Sequence, residues 1–291
     1  MSLFILSPLI YLLIGMFVAR FPFNIKGKIS AFLTKFVIPS VIVYNIATSK
    51  HDLLVIMLGM MTILFIMFFL SRVLGDNPVK RLCFFYLNIA WLGLPVGSAI
   101  WGSEAATILI SVYIGSSLFC NSACVSLMSI DIAWLHRIRQ IIKAPPVIAL
   151  LIGIFTLPFG DWLEQHVYIV YECLKFTMTF LGMMLLGIWL ATTKLKSADF
   201  KAAWLLFLFR MVSLTILITL FILVAEYYQI ALVTQNKPVF YLLSFLPPAA
   251  NLIILETYYL KTGQSASMIA CGTMISLAAI TVYVTGLLIW G

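Results

Sequence analysis

Long, continuously apolar runs alternate with short polar connections along the whole chain, and the runs lack the every-other-residue alternation of half-buried strands. About twenty apolar residues in a helix cross roughly 30 Å of hydrocarbon, and that yardstick divides the sequence into spans. Ten segments result: 3–19, 29–48, 53–70, 82–101, 105–128, 144–159, 167–191, 202–225, 239–260 and 266–290. A membrane barrel would instead show alternating segments of about ten residues, so helices are expected. The first run has no basic start and no small-residue cleavage site before Arg20-Phe21-Pro22, which makes it a span rather than a cleaved signal.

Composition sharpens this picture. Of 291 residues, 63% are hydrophobic and only 10% charged, with a mean hydropathy of +1.12, far from the quarter or so of charged residues in soluble domains. The formal charge of +8 does not indicate a nucleic-acid binder, because the cations lie in the connections between apolar runs and form no single basic patch. They sort by connection. Arg20, Lys26 and Lys28 occupy the first, Arg72, Lys80 and Arg81 the third, Arg137, Arg139 and Lys143 the fifth, Lys194, Lys196 and Lys201 the seventh, and Lys261 the ninth. Even connections hold only Lys50 and Lys237. Positively charged connections stay on the cytoplasmic side, which predicts a multi-pass protein of the cell inner (plasma) membrane with both termini on the outer, periplasmic side. The expected surroundings are lipid bilayer, with no nucleic-acid partner.

Five segments before the fifth connection and five after it run in opposite orientations, the arithmetic of an inverted repeat. The expected organisation is a first five-helix repeat over 1–130, a cytoplasmic linker over 131–144 and a second, inverted repeat over 145–291, with scaffold and transport parts intermixed between the repeats. The halves echo one another. Lys35-Phe36 in the second segment matches Lys175-Phe176 in the seventh, and both the fourth and the ninth segments are interrupted by proline.

Those interruptions are where chemistry is expected. The fourth segment carries Asn88, Gly93 and Pro95, and the ninth carries Pro247, Pro248 and Asn251. Proline removes a backbone donor and clashes with the preceding turn. Broken backbone at membrane depth must then be buried in protein or line a wet cavity. Half-helix N-termini aim N–H groups and positive dipole ends into such a cavity and favour a carboxylate or similar anion. Asn88 and Asn251 would orient it; the alternative is that the prolines kink helices and the asparagines join neighbouring spans. Further polar candidates are Asn45, and Ser117 with Asn121, which share a helix face at i,i+4. Asp52 beside His51 either caps the third helix or is a proton-coupling carboxylate. Lys35, Lys175 and Arg210 lie about two turns from a segment end, within reach of the interface by snorkelling, and Glu172 stands where it can pair with Lys175.

At these residues the chain resembles the auxin efflux carrier family. The resemblance covers most of the sequence and rests on Phe36-Val-Ile-Pro39 with Asn45, on Asn88 to Pro95 followed by Gly102, on the basic loop leading into Pro145-Pro146, and on Leu246-Pro247-Pro248-Ala-Ala-Asn251. It implies an all-α integral membrane fold of ten transmembrane helices in two inverted five-helix repeats, with broken helices 4 and 9 crossing at their prolines. It also implies a scaffold that forms a homodimer, and elevator-type transport of small organic anions such as auxin-like or dicarboxylate compounds. Asn88, Pro95, Pro248 and Asn251 are the positions onto which the crossover role carries. The chain departs from its relatives around Thr179-Phe180, where they often have proline, and in the aromatic Tyr258-Tyr259.

Other classes fare worse. An intramembrane enzyme needs a buried nucleophile with a base, or clustered metal ligands, and His51, His136 and His166 lie in or beside connections. No catalytic residue, metal or cofactor is expected; Cys83, Cys120, Cys124, Cys173 and Cys271 read as buried thiols in apolar runs. An anion channel shares every feature named and stays open as an alternative. A sodium-coupled symporter of the related bile-acid type typically has acidic residues beside the crossover, and none flanks Pro95 or Pro248.

Overall fold

The computed structural model describes residues 7–21, 25–48, 53–128, 139, 142–143, 145–192, 197–260 and 262–290. These are all-helical, with no strand beyond one isolated bridge. The helices are α1 (Ser7–Val18), α2 (Lys26–Phe32), α3 (Ile38–Thr48), α4 (Leu53–Leu70), α5 (Pro78–Phe85), α6 (Leu94–Met128) and α7 (Pro145–Thr156). Then follow α8 (Gly160–His166), α9 (Tyr168–Thr192), α10 (Ser197–Tyr227), α11 (Ala231–Thr234), α12 (Lys237–Leu242), α13 (Leu252–Tyr259) and α14 (Ser265–Trp290). Six stretches among the described residues are long and apolar enough to cross a membrane: Leu53–Leu74, Ile89–Met128, Val147–His166, Tyr168–Thr192, Ser197–Tyr227 and Ser265–Leu287. The chain is a membrane-embedded, all-helical protein.

The expected fourth and fifth spans meet inside α6. Gly102 takes φ 78 and ψ −156 there, a backbone conformation closed to residues with a Cβ, and it bends the helix. Two other prolines sit behind π-helical turns: Leu33–Val37 precedes Pro39, and Ile89–Gly93 precedes Pro95. A widened turn absorbs the missing N–H and the ring clash, so the helical path continues through both prolines.

The chain divides into two compact units, each drawing on both halves of the sequence. One comprises 1–57, 90–118 and 131–192. In it α1 packs along α9 with almost no separation: a Cβ on Gly15 would lie 2.0 Å from the Met184 carbonyl oxygen, and one on Gly187 2.0 Å from that of Leu12. Without a hydrophobic effect between lipid-bathed helices, such close backbone approach is a main source of cohesion. Lys26 secures α2 to the end of α9, its Nζ 2.7 Å from Thr192 Oγ1 and 4.8 Å over the Trp189 ring, and burial lowers its pKa. The expected pair of Lys175 with Glu172 is present at 2.5 Å.

The other unit comprises 58–89, 119–130 and 193–291. Its centre is α10 against α14, where Ala203, Phe207, Cys271 and Ile275 form a buried cluster. Phe85 faces Phe68 and Phe119 edge to face, and Phe84 stacks on Phe209 at 4.8 Å. Helix α5 starts at Asn77-Pro78, where the asparagine side chain accepts from the Lys80 N–H at 3.1 Å and proline occupies the first turn, which needs no donor. Arg210 corrects an expectation here. It stands near the middle of the 31-residue α10 and is 1% exposed, so it does not snorkel to the interface.

Candidate functional site

Within the second unit two interrupted segments cross. Helix α5 ends at Phe85, and Tyr86 turns extended (φ −86, ψ 105). After the 3-10 turn Leu243–Phe245, Leu246 is likewise extended (φ −71, ψ 145), the conformation a following proline imposes. The two stretches pair antiparallel through a bridge between Leu87 and Pro248. The Asn88 N–H donates to the Pro247 carbonyl at 2.9 Å, and the Ala249 N–H donates to the Tyr86 carbonyl at 2.8 Å. Pairing solves the problem of broken backbone in an apolar medium, since groups that have lost helical partners satisfy one another.

The expected interruption of the ninth segment at Pro247-Pro248 is where the helix stops. In the fourth segment the break lies at Tyr86–Asn88, ahead of Pro95, and this corrects the placement read from the proline. Pro95 sits instead in helical backbone at the start of α6, where its carbonyl accepts from Ser98 Oγ at 3.2 Å.

Side chains of the same unit knot the crossing together. Asn251 Nδ2 donates to the Tyr86 hydroxyl at 2.7 Å, and that hydroxyl donates to Asn121 Oδ1 at 3.3 Å. Asn88 is 4% exposed, and its Nδ2 has no hydrogen-bond partner among the described residues. A buried amide with unused donors is costly, so it marks a place where a further acceptor belongs. Gly272 on α14 lets the prolines seat, for a Cβ there would lie 2.9 Å from Pro248 Cδ.

The structure therefore gathers Asn88, Asn121, Pro247, Pro248 and Asn251 into one unit. Gly93, Pro95, Ser117 and Asn45 belong to the other. There Asn45 is occupied structurally: its Oδ1 accepts from Thr107 Oγ1 and from the Tyr171 hydroxyl, both at 3.3 Å, and its Nδ2 donates to the Val41 carbonyl. Tyr171 also stacks on Tyr44 at 4.1 Å. Asp52 lies outside the described residues.

Tyr86 and Glu256 are not singled out by the sequence, and Arg210 is singled out there only as a cation within reach of the interface. Arg210 donates from Nη1 to the Cys83 carbonyl at 3.2 Å, at the end of α5. Glu256 is fully buried and accepts from Thr262 Oγ1 at 2.5 Å and from the N–H groups of Gln264 and Ser265 at 2.6 and 2.8 Å. Its carboxylate thus caps the start of α14, an arrangement the polar cluster Thr262, Gln264, Ser265 signals. No group of three or more His, Cys, Asp or Glu among the described residues is placed to hold a metal ion.

No family model matches the sequence, and no curated protein matches it significantly.

Proposed function

We propose that this protein is a secondary transporter of small organic anions, working by elevator-type alternating access, and that it is an auxin efflux carrier-like fold of ten spans in two inverted repeats. The observation that carries this reading is the pairing of two interrupted segments, Tyr86–Asn88 with Leu246–Ala249, in the interior of a membrane-embedded unit. A helical bundle has no structural need of two broken helices at one place, and crossings of this kind suit a polar seat. The unpaired Asn88 amide is an available donor, and an anionic oxygen is a strong acceptor for it. A carboxylate fits such a seat without demanding a cation or a metal from the substrate's side. The homodimer and the orientation with both termini outside belong to the same proposal.

The test is a thermal-shift screen of small carboxylates on purified protein, since a ligand of the native state raises apparent stability. Counterflow in proteoliposomes follows with the best ligand. Saturable uptake accelerated by the same anion on the opposite side is the expected result. Single-channel currents without counterflow would identify a pore, and no response to any carboxylate would remove the anion reading.

A further inference from the structure

We propose that Arg210 supplies the fixed positive charge of the anion seat, acting through the end of helix α5 as a positioning and electrostatic residue without touching the substrate. The proposal deepens the transport reading and rests on it.

A guanidinium in mid-span is expensive unless neutralised, and an ionisable side chain there is a functional hypothesis by default. Arg210 is 1% exposed, with its Nε and Nη2 buried and lacking a hydrogen-bond partner among the described residues. No carboxylate among the described residues lies within ion-pair distance of it. What it has is the Cys83 carbonyl at 3.2 Å and the Phe207 ring face at 5.6 Å. Cys83 belongs to the last turn of α5, beyond the last helical bond from the Tyr86 N–H to the Leu82 carbonyl, at the negative end of the helix dipole. That dipole offsets part of the guanidinium charge and leaves the rest uncompensated.

The remainder acts on the crossing. Cys83 precedes Tyr86 by one helical turn and Asn88 by two more residues, a path of ~10 Å at helical and extended rises. Glu256, the other buried charge near Cys83, is held at the opposite kind of helix end, where the N–H groups of Gln264 and Ser265 answer it. The carboxylate is therefore satisfied by its own hydrogen bonds, whereas two of the three guanidinium nitrogens are not, among the described residues. A seat built of amides and dipoles gains from Arg210 a reason to prefer a full negative charge over a neutral analogue.

The experiment compares binding of phenylacetate with phenylacetamide, and of malonate with malonamide, to purified wild type, Arg210→Gln and Arg210→Lys. For Arg210→Gln the carboxylate-over-amide preference should fall about tenfold, the size of a unit-charge interaction over ~10 Å at an effective dielectric near 20, with amide binding retained. Arg210→Lys should keep the preference at neutral pH. A purely structural role predicts that both members of a pair weaken in proportion, and that outcome, or an unchanged ratio, overturns the proposal.

Should Arg210→Gln not fold, Arg210→Met carries the same test, because its unbranched apolar side chain fills the place of the arginine stem without a charge. The carboxylate-over-amide preference should then fall in Arg210→Met and persist in Arg210→Lys. A preference that persists in both overturns the proposal. Wild type with no preference in either pair would overturn the anion-transport reading itself, a result distinct from unchanged variants.

Discussion

The side-chain amide of Asn251 donates to the Tyr86 hydroxyl at 2.7 Å, joining residues 165 positions apart in the chain. One phenol thereby ties the two interrupted segments together beyond their backbone pairing, and passes the link on to Asn121. Tyr86→Phe removes the hydroxyl while keeping the ring, so it isolates the contribution of this knot. The half-buried Asn251 amide is then left without that acceptor, at a cost of about 1 kcal/mol. Thermal unfolding in detergent should show a lower midpoint, and a midpoint equal to wild type would mean the knot adds nothing.

Gly272 sets the clearance for Pro248. An added methyl would stand 2.9 Å from the proline ring, which the crossing cannot widen without disturbing its hydrogen bonds. Gly272→Ala should destabilise the protein by about 1–3 kcal/mol through overpacking, and Gly272→Val by more. Thermal unfolding of both variants checks the order.

Glu256 closes the turn into α14 by accepting from two backbone N–H groups and a hydroxyl. Glu256→Ala leaves the buried Ser265 N–H unanswered and the more exposed Thr262 and Gln264 donors to solvent, a loss of about 1–3 kcal/mol. Hydrogen exchange should quicken at Gln264 and Ser265 first. Exchange unchanged at these two amides would show that the carboxylate does not hold the turn.

Asn45 anchors Thr107 and Tyr171 from three separate segments of its unit. Asn45→Ala should lower the unfolding midpoint by the equivalent of about 1–3 kcal/mol, because two hydroxyls lose a shared buried acceptor. Circular dichroism during heating is sufficient to measure it.

How much of this was legible in the sequence follows from how local each cause is. The apolar runs announce membrane helices because burial in lipid acts residue by residue. Pro247-Pro248 announces the second interruption, since each proline forces the residue before it out of helical backbone. The first interruption carries no such mark. Tyr86–Asn88 is extended because a segment far along the chain pairs with it, while the visible proline, Pro95, is absorbed behind a π-helical turn. Arg210 was misjudged for a similar reason: the apolar run began at 202, but α10 starts at Ser197 and puts the arginine well inside. Asn45 and Asn251 look equivalent in sequence, and only their partners distinguish a structural anchor from a residue of the crossing.

An anion seated at the crossing of Tyr86–Asn88 with Leu246–Ala249 would accept from Asn88 Nδ2, a buried donor with no partner among the described residues. The decisive experiment is equilibrium binding of the best carboxylate from the screen to folded, monodisperse Asn88→Ala. Removing one hydrogen bond to a charged acceptor should weaken binding by about 1.5–3 kcal/mol, a loss of tenfold or more. Wild-type affinity in that variant would contradict the account.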